Sequence, residues 1–197
     1  MNKSKTVVLE IGCASGITMY RIAPHVKEYI GSDMAGVNLE KNALFNQQNN
    51  IQNITLEQCR ADEINALPVN GVDIVIMNSV IQYFCDTDYL IVVLTKAIDM
   101  IDKQGIIYLG DIRDIDKRSE FEAAVRQYRA DNGLKALNFQ KGNELFLSRN
   151  WVRKLSERFS EITAIEVSDK IGNIENELLK YRFDALLKVN YSEQLQI

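Results

Sequence analysis

Residues 7–16 read Val7-Val8-Leu9-Glu10-Ile11-Gly12-Cys13-Ala14-Ser15-Gly16. The apolar run, interrupted by one acid, predicts a buried β-strand, and the glycines after it predict a tight loop that opens a helix. A loop of bare backbone at the carboxyl end of a strand is where α/β sheets bind nucleotide-like ligands. The stretch therefore predicts an α/β fold with a ligand-binding loop after its first strand.

The chemistry of this loop favours S-adenosylmethionine over a dinucleotide. Dinucleotide loops carry three glycines spaced G-x-G-x-x-G, whereas here Ala14 replaces the middle glycine and the spacing is Gly-x-x-x-Gly. Glu10 lies directly before the loop, where a carboxylate would repel a pyrophosphate but would help to place a cationic amine. The alternatives are an NAD-dependent oxidoreductase and a strand-to-helix turn that binds no ligand.

The composition and net charge of the chain exclude several classes of function. The chain has 197 residues, of which 46% are apolar, and this predicts a single domain over residues 1–197. The net charge of −4 comes from mixed acids and bases, so we expect no nucleic-acid partner. No apolar stretch is long enough for a membrane span or a signal peptide, which predicts a cytoplasmic protein without membrane contact. Three scattered cysteines and one histidine predict reduced thiols and no metal site.

Strand and helix patterns alternate along the first half of the chain. Strands are expected at residues 7–11, 28–32, 54–59, 72–77 and 106–109, which indicates a parallel, doubly wound sheet. Two of the helices are expected to bury apolar positions, namely Val37, Leu44 and Phe45 in the first and Phe121, Ala124, Val125 and Tyr128 in the second.

Two further strands, near residues 162–167 and 181–189, complete the sheet. The segment 168–180 between them is too polar for a crossover helix, so we expect these strands to pair antiparallel. The predicted fold is α/β, a Rossmann-like, doubly wound, mostly parallel seven-stranded sheet with one antiparallel edge strand.

Acids follow the second and third strands at positions that suit a nucleoside. Asp33 lies 21 residues after Gly12, where a carboxylate accepts hydrogen bonds from ribose hydroxyls. Met34 is expected to lie against the adenine face, and Asp62 to accept from the adenine amino group. Helix-capping roles for both acids, and a packing role for the methionine, are the alternatives.

The segment after the fourth strand reads Asn78-Ser79-Val80-Ile81-Gln82-Tyr83-Phe84. Together with Asp88-Tyr89-Leu90 and Gly110-Asp111-Ile112-Arg113, it resembles the methyltransferase domains of nonribosomal peptide synthetases and of hybrid peptide–polyketide assembly lines. The resemblance covers about residues 7 to 189 and identifies the chain as a class I S-adenosylmethionine-dependent methyltransferase. One departure is Ala14, where many members have glycine.

The resemblance implies a role for each matching position. The loop and its preceding acid would border the methionine part of the cofactor, and Asp33 would hold the ribose. Ala61 and Asp62 would reach the adenine, and Asn78 and Ser79 would lie near the sulfonium. These cofactor-binding positions are Glu10, Gly12, Cys13, Ala14, Ser15, Gly16, Asp33, Met34, Ala61, Asp62, Asn78 and Ser79. The positions expected on the acceptor side, as catalytic candidates, are Gln82, Tyr83, Asp111 and Arg113.

The expected reaction is methylation of an amino-acid-like or peptide-like small molecule, free or bound to a carrier protein of an assembly line. Asp111 is the candidate proton acceptor, while Tyr83 and Gln82 would orient the acceptor. Carbon methylation in related assembly lines usually relies on an active-site histidine, and the position of His25 after the first helix therefore favours nitrogen, with oxygen second. A non-catalytic cofactor-binding partner is the remaining alternative. Adenine methylation of nucleic acid is disfavoured, because Asn-Pro-Pro-Tyr is absent after the fourth strand.

Overall fold

The computed structural model describes residues 5–69, 71–135, 144–172 and 176–191. Seven strands form one sheet, and their bounds are β1 Val7–Ile11, β2 Glu28–Asp33, β3 Ile54–Gln58, β4 Ile74–Asn78, β5 Gln104–Arg113, β6 Ile162–Asp169 and β7 Arg182–Asn190. The α-helices are α1 Ile17–Ile22, α2 Gly36–Gln48, α3 Thr87–Asp99, α4 Arg118–Asp131, α5 Arg149–Arg153, α6 Leu155–Arg158 and α7 Glu177–Tyr181. Short 3₁₀ turns occupy Ala23–His25, Ala61–Ala66, Ile81–Tyr83 and Ile115–Lys117.

The strand order across the sheet is β3-β2-β1-β4-β5-β7-β6. Strands β1 to β5 pair parallel, and β7 runs antiparallel to both β5 and β6. The predicted fold class is confirmed, with the antiparallel pairing confined to one edge region. The reversed strand β7 is inserted between β5 and β6, so that β6 is the outermost strand.

The regularly spaced apolar residues of helix α3 form part of the hydrophobic core. The Asp86 side chain caps the helix by accepting a hydrogen bond from Tyr89 N at 2.8 Å. Leu90, Leu94 and Ile98 then recur on one face and are buried against β1, β4 and β5. This helix and the sheet form the main core, which holds the carboxyl ends of β1, β4 and β5 in fixed register.

Helix α2 buries a different face from the one predicted. Val37, Leu44 and Phe45 are 60%, 58% and 45% exposed, whereas Asn42 and Asn46 are buried. The reason is a polar contact, because Asn42 Nδ2 donates to the carbonyl of Ala14 in the loop after β1 at 2.9 Å. A helix that must support a backbone loop presents hydrogen-bonding groups to it instead of apolar ones.

Helix α4 also buries less than its periodicity predicts. Phe121 is buried, but Ala124 is exposed, Val125 is half-buried and Tyr128 is 63% exposed. Phe121 packs against Tyr181 of α7, with ring centroids 5.3 Å apart. The prediction is wrong for Ala124 and Tyr128, and Val125 is only partly buried, because α4 packs mainly through its first turn.

Candidate active site

A cavity of about 510 Å³ opens where β1, β2 and β4 end, within the size range of small-molecule sites. Half of the predicted cofactor positions line it, namely Gly12, Ala14, Asp33, Met34, Ala61 and Ser79, and so does Tyr83. The remaining wall is largely apolar and consists of Ile11, Cys59, Arg60, Val80, Phe84, Cys85 and Tyr89. The last seven were not assigned to the site from sequence, although Val80, Phe84 and Tyr89 belong to the segments that carry the family resemblance.

The loop after β1 is held in a conformation that requires glycine at position 12. Gly12 has a φ of +78°, and a Cβ there would lie 2.7 Å from Val80 Cγ2, well inside van der Waals contact. The amides of Gly12 and Cys13 both donate to the carbonyl of Ser32 in β2, at 2.8 and 3.0 Å. The loop backbone is therefore fixed against the neighbouring strand, and it lines the cavity through Gly12 and Ala14, with no side chain larger than a methyl group.

A side-chain brace from two helices supports the same loop from behind. Asn42 Nδ2 of α2 donates to the Ala14 carbonyl, and the hydroxyl of Tyr20 in α1 donates to the Asn42 carbonyl at 3.2 Å. The helical spacing of Leu39, Asn42 and Asn46 is a sequence signal that could have indicated this brace. In the structure all three residues are buried.

Asp33 is pre-oriented toward the cavity by backbone amides. Its Oδ2 accepts from Ala14 N at 2.8 Å and its Oδ1 accepts from Ala35 N at 2.7 Å. Each carboxylate oxygen has a further lone pair, so the group retains capacity for a pair of vicinal hydroxyls. Met34 beside it lines the cavity and is 72% exposed, and its contact with the adenine face stays a prediction.

Glu10 lies beneath the loop, buried in the sheet. The hydroxyl of Tyr29 donates to Glu10 Oε2 at 2.9 Å. Burial raises the pKa of Glu10 to about 7, despite hydrogen bonds from Tyr29 and Thr18 that lower it. A carboxyl with this pKa ionises readily when a cation is placed nearby. Glu10 does not line the cavity, and its contact with an ammonium group stays a prediction.

The other loop positions predicted to border the cofactor do not line the cavity. Cys13 is buried, and its sulfur faces Gly31 so closely that a Cβ at Gly31 would lie 3.1 Å from it. Burial raises the pKa of the Cys13 thiol to about 12, so it stays protonated and packs as a small apolar group. Ser15 is exposed, and Gly16 is a buried turn residue with a φ of +80°.

Asp62, predicted to meet the adenine amino group, is engaged by protein groups beside the cavity. Its Oδ1 accepts from Arg60 Nε at 2.9 Å and from the Tyr89 hydroxyl at 2.8 Å, and its Oδ2 accepts from Arg60 NH2 at 3.1 Å. These hydrogen bonds hold the pKa of Asp62 below its ordinary value. Arg60, Ala61 and Tyr89 themselves line the cavity, so this edge of the cavity has a polar rim.

The carboxyl ends of β4 and β5 meet at the opposite end of the cavity. Ser79 lines the cavity, and its hydroxyl donates to Asp111 Oδ2. The Asn78 side chain packs against Gly110, where any Cβ would clash with it. Ser79 and Asp111 have φ of +56° and +61°, so both are in the left-handed region, which is uncommon outside glycine.

The four predicted acceptor-side residues take different positions. Tyr83 lines the cavity and is 74% exposed. Gln82 is buried and donates through Nε2 to the Ser79 carbonyl at 2.8 Å, which supports that strained turn from below. Asp111 is buried behind Ser79 and forms an ion pair with Lys170.

Arg113, the fourth acceptor-side candidate, is buried in an ion-pair network outside the cavity lining. Its Nε lies 2.9 Å from Glu144 Oε2 and its NH1 lies 3.2 Å from Glu177 Oε1. The guanidinium also lies over the ring of Phe121, 4.8 Å from the centroid. Arg113 therefore joins β5 to α7 and α4, and it supports the acceptor side from outside.

Within the described ranges, no group of three or more His, Cys, Asp or Glu side chains is arranged to hold a metal ion. Among the same residues, no helix has the length and apolar character that crossing a bilayer requires.

Similarity to known proteins, in sequence and in fold, identifies the family of the chain. A family model described as a methyltransferase domain matches residues 2–158. The chain is 34% identical over 194 residues to chondramide synthase cmdD of Chondromyces crocatus, covering 92% of this chain and 5% of that protein. It is 33% identical over 183 residues to the probable non-canonical nonribosomal peptide synthetase CymA of Salinispora arenicola, covering 91% and 2%. The chain thus spans a small fraction of the length of these relatives.

Among solved structures, the N-methyltransferase NodS from Bradyrhizobium japonicum WM9 has the same fold. It aligns with a TM-score of 0.67 at 16% identity, covering 96% of this chain and 88% of that one. Its complex with S-adenosyl-L-homocysteine aligns with a TM-score of 0.64. Since the family model matches most of the residues and the cavity has the bare loop and the fixed acid that the cofactor requires, the chain belongs to the family of S-adenosylmethionine-dependent methyltransferase domains.

Proposed function

We propose that the chain methylates a nitrogen atom of an amino-acid-like or peptide-like small molecule, free or carrier-bound, in natural-product biosynthesis. Similarity to a probable nonribosomal peptide synthetase supports the substrate class. The nitrogen assignment rests on one observation, the ion-paired state of Asp111 at the reacting end of the cavity.

Asp111 is a weak base in this environment. Burial raises the pKa of Asp111, but hydrogen bonds from Lys170 and Ser79 outweigh it and hold the pKa below its ordinary value. A carbon acceptor must lose a proton before it attacks, whereas a neutral amine attacks with its own lone pair and loses its proton afterwards. The single histidine, His25, lies in the 3₁₀ turn after α1 and is not part of the cavity wall. This environment therefore suits nitrogen better than carbon.

The residues of the cavity bind and align the reactants. S-adenosylmethionine, when bound, supplies an electrophilic methyl group on a positively charged sulfur. Asp33 would accept the ribose hydroxyls, and Glu10 beneath the loop would compensate the ammonium group. The apolar wall around Val80 and Phe84 excludes water, which would compete as a nucleophile. Alignment of this kind contributes roughly 7–11 kcal/mol to lowering the barrier.

The deciding experiment uses labelled S-adenosylmethionine and a panel of acceptors. The panel contains amino acids, the matching hydroxy acids and the N-acetylcysteamine thioesters of both, which imitate carrier-bound substrates. We expect label on the nitrogen of an aminoacyl compound, identified by mass spectrometry. Label on a hydroxy acid alone would assign oxygen instead, and binding without transfer to any acceptor would indicate a non-catalytic partner.

Two variants separate cofactor binding from methyl transfer. Asp33→Ala is expected to lower the affinity for S-adenosylhomocysteine by about 10- to 100-fold, because hydrogen bonds to a charged group are lost. Tyr83→Phe is expected to keep that affinity and to lower the rate. Calorimetry with NAD serves as the negative control, and unchanged binding in Asp33→Ala would refute the ribose assignment.

A further inference from the structure

A buried charge cluster lies directly behind the reacting end of the cavity. Lys170, which follows β6, forms ion pairs with Asp111 and with Asp184 of β7, the second at 3.1 Å between Nζ and Oδ1. The Asp111 amide also donates to Asp184 Oδ1 at 2.9 Å. The side chains of Asp111, Asp184 and Lys170 are 8%, 16% and 18% exposed, so this is an interior cluster and not a surface pair.

The cluster determines which hydrogen-bonding role Ser79 can offer to a ligand. A serine hydroxyl has one hydrogen to donate and two lone pairs that accept. Here the hydrogen is donated to Asp111 Oδ2, away from the cavity that Ser79 lines. Toward a ligand Ser79 therefore presents oxygen lone pairs, and the group that it orients must carry a hydrogen.

We propose that Lys170 is a positioning residue for methyl transfer, acting through Asp111 to hold Ser79 as an acceptor for an N–H of the substrate amine. This inference rests on the proposed function and adds the recognition of the substrate amine. One N–H of a primary or secondary amine donates to Ser79, and the nitrogen lone pair remains free for the methyl group. A tertiary amine has no such hydrogen when neutral, and it is excluded as a substrate.

The charges around Asp111 agree with this role. Lys170 and Arg182 face it with positive charge, Asp184 with negative charge, and Tyr108 lies beside Asp184. Burial lowers the pKa of Lys170, but hydrogen bonds to Asp111 and Asp184 outweigh burial and raise it. Both members of the pair therefore keep their charges at neutral pH, and Asp111 remains an acceptor for the Ser79 hydrogen.

The kinetic test compares three lysine variants, using the aminoacyl thioester that the wild-type protein methylates fastest. Lys170→Met is expected to lower kcat about 100-fold, because the Ser79 oxygen is no longer held at the reacting nitrogen, with little change in affinity for S-adenosylhomocysteine. Lys170→Arg restores the charge and is expected to recover kcat to within about tenfold of wild type. The control is Lys188→Met, which removes an exposed lysine paired with Glu166 on the same sheet edge. Equal losses in Lys170→Met and Lys188→Met, or an unchanged kcat in Ser79→Ala, would overturn the proposal.

A second measurement does not depend on turnover. Carboxyl ¹³C NMR titration of protein labelled at aspartate reports the pKa of Asp111 directly, with Asp111→Asn identifying its signal. We expect the pKa to lie below the ordinary value in wild type and to rise in Lys170→Met. Failure of every amine to accept label refutes the proposed function, whereas an Asp111 pKa that does not change in Lys170→Met refutes the role of Lys170.

Discussion

The two ends of the cavity are built in different ways. The donor end, around Gly12 and Asp33, consists of backbone groups and one carboxylate fixed by amides within a short stretch of chain. The acceptor end, around Ser79 and Asp111, is held by ion pairs between β5, β7 and the segment after β6. Under the proposed function, the donor end would recognise the cofactor through local backbone geometry, whereas the acceptor end would position its substrate through side chains from distant parts of the chain.

The largest expected effect tests the donor end through its buried acid. Burial raises the pKa of Glu10 from its ordinary 4.5 to about 7, so the folded state binds the proton more tightly than the unfolded state. Stability is therefore lost as the pH rises from about 4.5 to about 7 and stays lower above that, by about 3 kcal/mol. We expect Glu10→Gln to be more stable than wild type by about this amount near pH 8 and equally stable near pH 4.

Two measurements check this prediction. Urea denaturation at a series of pH values should show stability curves that converge at low pH, and parallel curves would contradict the role of burial. Calorimetry should show weaker binding of S-adenosylhomocysteine by Glu10→Gln, because the ammonium group loses its counter-ion. The donor end would then be a place where stability is given up for ligand binding.

The second prediction concerns Arg113, the central cation of the ion-pair network that supports the acceptor end from outside the cavity. Arg113→Ala leaves Glu144 and Glu177 without this partner and removes the contact with Phe121. The expected loss in free energy of unfolding is about 2–3 kcal/mol, below the usual figure for a fully buried pair, because both glutamates reach solvent and Arg182 also pairs with Glu177. The matched control is Lys188→Ala, which breaks an exposed pair and should change stability by less than about 0.5 kcal/mol. Equal effects in the two variants would show that the network around Arg113 contributes no more to stability than an exposed ion pair.

The third prediction tests whether the loop after β1 needs a residue without a side chain at position 12. Gly12→Ala adds a Cβ 2.7 Å from Val80 Cγ2 at a φ of +78°. We expect a loss of about 2 kcal/mol in stability and a clear loss of affinity for S-adenosylhomocysteine. Gly133→Ala is the matched control, since Gly133 has a similar φ of +63° and no atom of the described residues lies within 4 Å of a Cβ built there. If both variants lose the same stability, backbone strain alone explains the effect and the contact with Val80 does not matter.

The smallest effect concerns Ala14, the position where the family resemblance leads us to expect glycine. Ala14 has a φ of +43°, and Ala14→Gly relieves that strain while adding chain entropy to the unfolded state. We expect a gain of about 0.5 kcal/mol with unchanged affinity for S-adenosylhomocysteine. Thermal unfolding together with calorimetry measures both quantities. A loss of stability would mean that the alanine methyl group makes a contact that matters.

These differences explain which parts of the site were predictable from sequence. The loop after β1 and Asp33 belong to neighbouring strands at a regular spacing, so local pattern and one long-range expectation were enough to predict them. Asp111 and Lys170 meet only because β7 lies between β5 and β6, and no spacing rule brings these residues together. Lys170 was therefore missed, although the resemblance had placed Asp111 at the acceptor side.

The buried faces of α2 and α3 also differ in how far they could be predicted from sequence. The buried face of α3 follows its hydrophobic periodicity, because apolar residues there meet an apolar sheet. The face of α2 was predicted wrongly because its partner is the carbonyl of Ala14, which requires the amide of Asn42. Hydrophobic periodicity describes contact with a core, but it says nothing about a helix whose function is to hold a loop.

The insertion of β7 between β5 and β6 has a consequence for the order of folding. During synthesis, β6 leaves the ribosome before β7, yet it has no strand to pair with until residues 182–190 arrive. The cofactor loop, by contrast, can close as soon as β1, β2 and β4 have assembled. Pairings between distant segments form slowly because a long loop must close first. The protein should therefore acquire the ability to bind its cofactor before it acquires the ability to place a substrate, and this order could be followed during translation by hydrogen exchange.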